Sequence, residues 1–561
     1  MSYADKPWLK NYKSGPFPLK KSMQPYPKHN IYKFLEDSAA KYPDNTACVY
    51  LDKELTYTEL KLQVDKLASA LAELGVKKGD KVATVLPNCP KFIVSDYAIL
   101  KIGAVHVPIS ILHRYDDLVH EIGKSGAETV ICSYRRIELV KSVMEKVTIK
   151  TIIYTPVPIF PDYKMPEMEE VSDAHQFESL LEKYEPNPPT VEIDPEEDLA
   201  LVPFTGGTTG LPKGTMLTHY NVTTNVIQAM HWMMAPLLLG LKGKASLLLC
   251  IPMFHQFGHI AQYTAISLGL RIFLVDPRDI ERIVNLIKKH RPFLVLGVPT
   301  HFMMMLRYEL PRMQIFLLSG AAALPPEVAE GMEKKIGVPM GEGYGLTEAT
   351  AATHLNLSAF SKVTGFAAKV KRSIGVPTPD TEVRIVNVDT GEDVPFGETG
   401  ELWIRGPQIM KGYLPTPGKG LEDGWLKTGD IAKMDPDGYF HIVDRIKDMI
   451  NVSGMKVYSM VIDDALYEHP GVNVVGVIGV PDPERPGSER VKAFIQLKPE
   501  YEGKVTEEEI INFCKEKVPP YAVPKFVEFR KQLPVTLAMK IHKKKLRDEE
   551  LEKMKEQGLI K

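Results

Sequence analysis

The chain has 561 residues, too many for one compact core, and a prior of about 150 residues per domain implies three or four units. Hydrophobic content of 44% and charged content of 25% fit a globular protein, and a net charge of −2 leaves no basic surplus for a nucleic-acid backbone. Five widely spaced cysteines with no CxxC pair exclude a disulfide framework or a zinc site and fit a reducing, cytoplasmic setting.

The first residues, MSYADKPWLKNYKSGPFPLKK, are polar and broken by proline, unlike a signal peptide. KVATVLPN, GAVHVPIS, ETVICSY and KTIIYTP then read as buried strands, separated by amphipathic helical segments such as YTELKLQVDKLASALAELG. Strands without polar alternation, joined by helices, predict a parallel sheet covered on both faces. The Pro- and Glu-rich stretch from Thr155 to Glu197 is expected to run over the surface. A second series, LALVPFT, SLLLCIPM, RIFLVD, FLVLGVPT and IFLLSGA, predicts a second α/β subdomain packed on the first. The most apolar stretch, Ala235 to Met253, is interrupted by Lys242 and Lys244, so no transmembrane helix is expected. Peripheral membrane contact and a homodimer stay open. After Gly375, alternation with Gly turns, as in TEVRIVNVDTGEDVPFGETGELWIRG, predicts a small antiparallel β subdomain. Beyond Arg445, NVVGVIGV, RVKAFIQLK, KFVEFR and the Thr506-capped helix TEEEIINFCKEK predict a small α+β domain.

The segment Thr205-Gly206-Gly207-Thr208-Thr209-Gly210-Leu211-Pro212-Lys213-Gly214 directly follows the strand LALVPF. Its glycines let backbone N–H groups turn inward around an anion, its threonine hydroxyls add donors, and Lys213 brings a mobile positive charge. The spacing fails the Walker pattern, because Pro212 precedes the lysine and Gly214 follows it. A plain Gly/Thr surface turn is the alternative reading of GGTTG taken alone.

TGGTTGLPKG resembles the signature of the acyl-adenylate-forming superfamily, which includes acyl-CoA synthetases, luciferases and the adenylation domains of peptide synthetases. Further motifs follow in the family's order: Gly343-Tyr344-Gly345-Leu346-Thr347-Glu348, Gly424-Trp425-Leu426-Lys427-Thr428-Gly429-Asp430, Asp444-Arg445-Ile446-Lys447-Asp448, and a last lysine, Lys540. The resemblance covers nearly the whole chain. It implies an adenylation domain over residues 1–446 and a mobile α+β domain over 447–561. It also implies ATP, Mg²⁺ and coenzyme A as cofactor and co-substrates, with a carboxylic acid as the group activated.

By that resemblance, Thr205 to Gly210 and Lys213 hold phosphates, with Thr208 and Glu348 on the metal. Thr347 bonds the α-phosphate, Tyr344 lies against adenine beside Gly343 and Gly345, and Gly320, Ala321 and Ala322 form the backbone strip alongside. Asp430 accepts the ribose hydroxyls, though TGD also reads as a turn. Arg445 contacts ribose or phosphate, or is an ordinary interdomain ion pair. Lys540 is the catalytic lysine, with Thr347, Glu348 and His255 the other catalytic candidates. Lys447 is the hinge, and Ser453 and Gly454 face coenzyme A. The basic run Lys540 to Arg547 either attracts coenzyme A phosphates or is a solvated face.

Two departures stand out. Met539 occupies the place of the family's glycine, and Ser459 and Val461 replace its proline and glutamate. The acyl pocket is expected among His231 to Met234, Phe254 to Gly258, Val298 to Met303 and Ala349 to Thr353. These segments carry no acidic residue placed for an amino-acid ammonium, and EATAATHLN, with no bulky plug, resembles that of fatty acyl-CoA synthetases, which implies a medium- or long-chain fatty acid. An aryl or short, branched acid, a carrier-protein ligase and a catalytically silent nucleotide-binding relative are the rival readings.

Overall fold

The computed structural model describes residues 2–158, 171–205, 211–232, 238–356, 373–536 and 540–560. Strands Lys81–Val85, Val105–Pro108, Thr129–Ser133 and Thr151–Thr155 pair in parallel, as the sequence predicts. Successive side chains divide between two cores, as a period of two requires. Val82, Ile131 and Ile153 join Leu67 and Phe92 from helices Tyr57–Glu73 and Pro90–Lys101. Ala83, Val130 and Cys132 join Leu118 and Val140 from helices Tyr115–Ser125 and Ile137–Val143.

The second sheet runs in the order Lys53–Thr56, Thr46–Tyr50, Arg271–Leu274, Ser246–Leu249, Leu294–Gly297, Phe316–Ser319, Met340–Leu346, Ala351–Leu355, Val376–Pro377. Three expectations are corrected. The run LALVPFT belongs to the first sheet, since Leu201 pairs in parallel with His106 and antiparallel with Leu217. Neither sheet is wholly parallel: the first is antiparallel at one edge, and the second at both. Strand pairing is non-local, so an apolar run announces a strand but not its neighbours. The described part of the stretch expected on the surface contains helix Phe177–Lys183, whose Phe177 and Leu180 are buried.

Strands Glu382–Val386, Gly400–Arg405, Trp425–Met434 and Phe440–Arg445 form the antiparallel β subdomain. The C-terminal unit has a sheet of Val472–Pro481, Glu489–Leu497 and Phe526–Phe529, covered by helices Ser459–Tyr467, Glu507–Lys515 and Lys543–Glu556. Thr506 caps the middle helix as expected, its Oγ1 accepting the Glu509 N–H at 3.2 Å. The basic run is divided: Lys544 and Lys545 are exposed, while two other cations pair within the C-terminal unit. Lys543 Nζ lies 2.6 Å from Asp463, and Arg547 lies 3.5 Å from Glu489. No helix among the described residues is long and apolar enough to cross a membrane.

Candidate active site

A cleft of about 1990 Å³ opens at the carboxyl ends of the two parallel sheets and is covered by the C-terminal unit. Crevices at this end of α/β sheets are where ligands sit, because loops there vary while the strands hold them. Thr205, Lys213, His255, Gly320, Ala321, Ala322, Gly343, Tyr344, Gly345, Thr347, Glu348, Asp430, Arg445, Lys447 and Lys540 all line it. Gly206 to Gly210, with Thr208 and Thr209, and Met539 lie outside the described residues. Ser453 and Gly454 are not brought in. They form the exposed tip of the hairpin Ile450–Val452/Met455–Val457, with φ of 51° and 86°.

In one part of the cleft, Lys213 begins strand Lys213–Thr218, which pairs with the short strand Gly412–Tyr413. Thr347 and Glu348 sit in a single 3-10 turn ended by Thr350 at φ 65°. The segment Gln408 to Tyr413 ties that turn down. Thr350 Oγ1 donates to Gln408 O at 2.6 Å, and Met410 N–H donates to Glu348 O at 2.8 Å. The Tyr413 phenol donates to Glu348 Oε1 at 2.6 Å. Gly345 is required by close approach, because a Cβ there would fall 1.3 Å from Ala351 O at the bulge between the strands.

Elsewhere in the cleft, the Tyr344 phenol donates to Asp430 Oδ2 at 2.6 Å, and Arg445 Nε lies 2.9 Å from Oδ1. Asp430 and Arg445 face each other across antiparallel strands, so sheet register itself makes this pair. The Asp430 carboxylate keeps only 5% exposure, whereas Arg445 keeps 44% and stays open to the cleft. Burial, and secondarily Asp430, push the Tyr344 phenol well above its ordinary value. Ala321 stands at φ 68°, a conformation that L side chains rarely adopt and that turns the strip Gly320 to Ala322 along the cleft.

Lys540 enters from the C-terminal unit. Burial, with the Arg445 charge second, pulls its amine down to about 7. His255 begins helix Gln256–Ser267, its Nδ1 accepting the Phe257 N–H at 3.4 Å, and burial followed by the Lys540 charge lowers its ring to about 3. That imidazole is neutral at physiological pH. Lys447 is lowered to about 8 by burial and then by Arg445. Arg445 is the second cause for both lysines, so Lys540, Lys447 and Arg445 gather positive charge in one part of the cleft.

Ala229, Ile260, Ala261, Thr264, Ala351 and Leu355 add a mostly apolar part, termed the apolar arm, to the cleft lining. Several residues expected in the acyl pocket are core instead. Trp232 is buried with its Nε1 donating to Lys20 O at 2.9 Å, and His301 accepts the Val298 N–H at 3.1 Å. Met303 and Met304 line the cleft near Arg307, which reaches Asn473 of the C-terminal unit at 3.2 Å. Met233 and Met234 lie outside the described residues. Tyr413 was not foreseen, and its only sequence cue is the KGYL turn.

The AMP-binding enzyme family model matches residues 35–414, and the AMP-binding enzyme C-terminal domain model matches residues 461–540. The long-chain-fatty-acid–CoA ligase of Bacillus subtilis (strain 168) is 36% identical over 98% of this chain and 99% of its own. The feruloyl-CoA synthase of Amycolatopsis sp. is 32% identical over 90% of this chain and 96% of its own. Among solved structures, the anthranilate CoA ligase AuaEII with anthranoyl-AMP superposes with a TM-score of 0.82 at 24% identity, covering 95% of this chain and 99% of that one, and supports the fold. With the two-domain α/β architecture and the motif residues gathered in one cleft, these matches place the chain in the AMP-binding enzyme family.

Proposed function

We propose that the chain is an AMP-forming fatty acid–CoA ligase. The observation that carries the reading is that Lys540 of the C-terminal unit lines the same cleft as Glu348, Asp430 and Arg445 of the large domain. In the first half-reaction a carboxylate oxygen attacks the α-phosphorus of ATP and the bond to the β-phosphate breaks, releasing pyrophosphate. Lys213 and the loop before it hold phosphates, while Asp430, fixed by Tyr344 and Arg445, receives the ribose hydroxyls. Lys540, when protonated, bridges the carboxylate and α-phosphate oxygens and stabilises charge developing in the transition state. Glu348, a hard oxygen donor beside a phosphate-directed lysine, fits Mg²⁺, with Thr208 as the second donor expected from the sequence. When bound, the ion neutralises phosphate charge so that two anions can meet.

In the second half-reaction the thiol of coenzyme A attacks the acyl carbonyl and AMP leaves. The exposed Ser453–Gly454 turn supports a second orientation of residues 447–561, reached by rotation at Lys447, that brings this turn to the cleft. His255, neutral in the cleft wall, positions the acid rather than donating a proton. The apolar arm at Ala229, Ala261 and Ala351 supports an aliphatic acyl chain, as do the fatty-acid ligases among the relatives. Five buried, free cysteines support work in the cytoplasm.

The test is release of AMP and pyrophosphate from ATP, with and without coenzyme A, across acids from acetate to palmitate plus benzoate and ferulate. Coenzyme-A-dependent AMP release peaking on a fatty acid is the expected result. A peak on ferulate or benzoate would replace the acyl assignment, and no turnover with any acid would make the chain a silent relative.

A further inference from the structure

Lys213 and Glu348 carry opposite charges on one wall of the cleft, and both touch Tyr413. The phenol donates to Glu348 Oε1 at 2.6 Å, and the Lys213 ammonium lies 5.0 Å from the centre of the same ring. Lys213 is exposed and Glu348 half-buried, so their side chains are free to approach, and a direct pair between them would neutralise the two groups that a triphosphate and its metal need. Tyr413 satisfies each separately, giving the carboxylate an O–H and the ammonium a π face.

The ring is built in from both sides. Tyr413 pairs with Thr215, and Leu414 N–H donates to Gly214 O at 2.9 Å, which ties it to the strand that Lys213 begins. Met410 N–H donates to Glu348 O, which ties the same segment to the Glu348 turn. Gly420 packs against the ring, where a Cβ would fall 2.4 Å from it. Tyr413 therefore stands where the phosphate-loop strand and the carboxylate turn cross.

We propose that Tyr413 is a positioning residue that keeps Lys213 and Glu348 apart, so that the lysine is free for the triphosphate and the carboxylate for the divalent cation. This rests on Glu348 being the metal ligand, and the experiment separates the two ideas. Full-length wild type, Tyr413→Phe, Tyr413→Leu and Glu348→Gln are titrated with Mn²⁺ in the presence of α,β-methylene-ATP, and free Mn²⁺ is read by electron paramagnetic resonance. Binding of the same nucleotide in EDTA is measured by calorimetry, and circular dichroism checks each fold.

Tyr413→Phe keeps the ring and loses the hydroxyl. It should weaken Mn²⁺ binding about ten-fold while leaving metal-free nucleotide affinity at the wild-type value. Tyr413→Leu loses the ring too and should weaken both. If that variant does not fold, Tyr413→Phe and Glu348→Gln still decide. Wild-type Mn²⁺ affinity in Tyr413→Phe, with Glu348→Gln impaired, overturns the role of Tyr413 alone. Equal losses of metal and metal-free nucleotide binding in Tyr413→Phe reduce it to a structural residue and also overturn it. Unaltered Mn²⁺ binding in Glu348→Gln removes the metal reading and this inference with it.

Discussion

The carboxylate of Asp444, the last buried acid before Lys447, accepts the backbone N–H of Ser459, the first residue of a helix in the C-terminal unit. Asp444 also accepts the Ser459 hydroxyl at 3.3 Å, and Lys543 Nζ donates to that hydroxyl at 2.8 Å while pairing with Asp463. Burial raises the Asp444 carboxyl and the Lys543 charge opposes that rise, so the contact is an ion-supported clasp across the proposed hinge. A proline, which the family carries at this place, has no N–H to give.

Ser459→Pro should leave the fold intact, because proline is tolerated at the first helical position. Hydrogen bonds to charged groups contribute about 1.5–3 kcal/mol, so losing one should depopulate the orientation that holds Lys540 in the cleft by about ten-fold or more. The adenylation half-reaction should slow accordingly while thioester formation from supplied adenylate does not. Equal slowing of both would mean that the clasp has no part in domain orientation.

Lys540 gives a pH dependence of definite sign. Its amine is lowered to about 7, and the charged form is the one that bridges carboxylate and phosphate. The kcat/KM of pyrophosphate release without coenzyme A reports the free enzyme, and it should fall as pH rises through about 7. Lys540→Arg carries a charge that does not titrate in this range, so the limb should vanish whatever the residual rate. A limb of the same midpoint in that variant would assign it to another group.

The site was legible where a motif is contiguous in the chain. Tyr344 to Glu348 run from one strand straight into the next turn and Thr428 to Asp430 lie within one strand, so chain proximity alone keeps each set together. Relationships across the chain were not legible. Tyr413 and Glu348 are 65 residues apart, and nothing in KGYL says that its phenol will reach that carboxylate. Leu199–Leu201 was assigned to the wrong sheet for the same reason, since an apolar run does not carry its partner's name. The Ser459 departure is visible as a missing proline, but only Asp444, folded against it, shows what the buried N–H does.

Gly345→Ala tests why the motif needs its second glycine. The added methyl would sit 1.3 Å from Ala351 O, which is main chain and cannot swing aside. Overpacking typically costs about 1–3 kcal/mol, and a backbone clash belongs at or above the top of that range. Denaturant unfolding of this variant should show a loss of about 3 kcal/mol or more. Wild-type stability would mean that the bulge between Tyr344 and Gly345 relaxes freely.

Ala261→Phe tests the acyl arm. Ala261 is buried on helix Gln256–Ser267 and lines the arm with Ala229 and Ala351. A phenyl ring there should shorten the arm without touching the nucleotide residues at Asp430 and Arg445. Each methylene denied burial forfeits about 0.8 kcal/mol, so excluding two lowers kcat/KM about 15-fold. The variant should therefore lose palmitate preferentially and keep octanoate, with the KM for ATP unchanged. If octanoate and palmitate fell together, the chain would run elsewhere, and the cleft beside Met303 and Met304 would be the next place to put it.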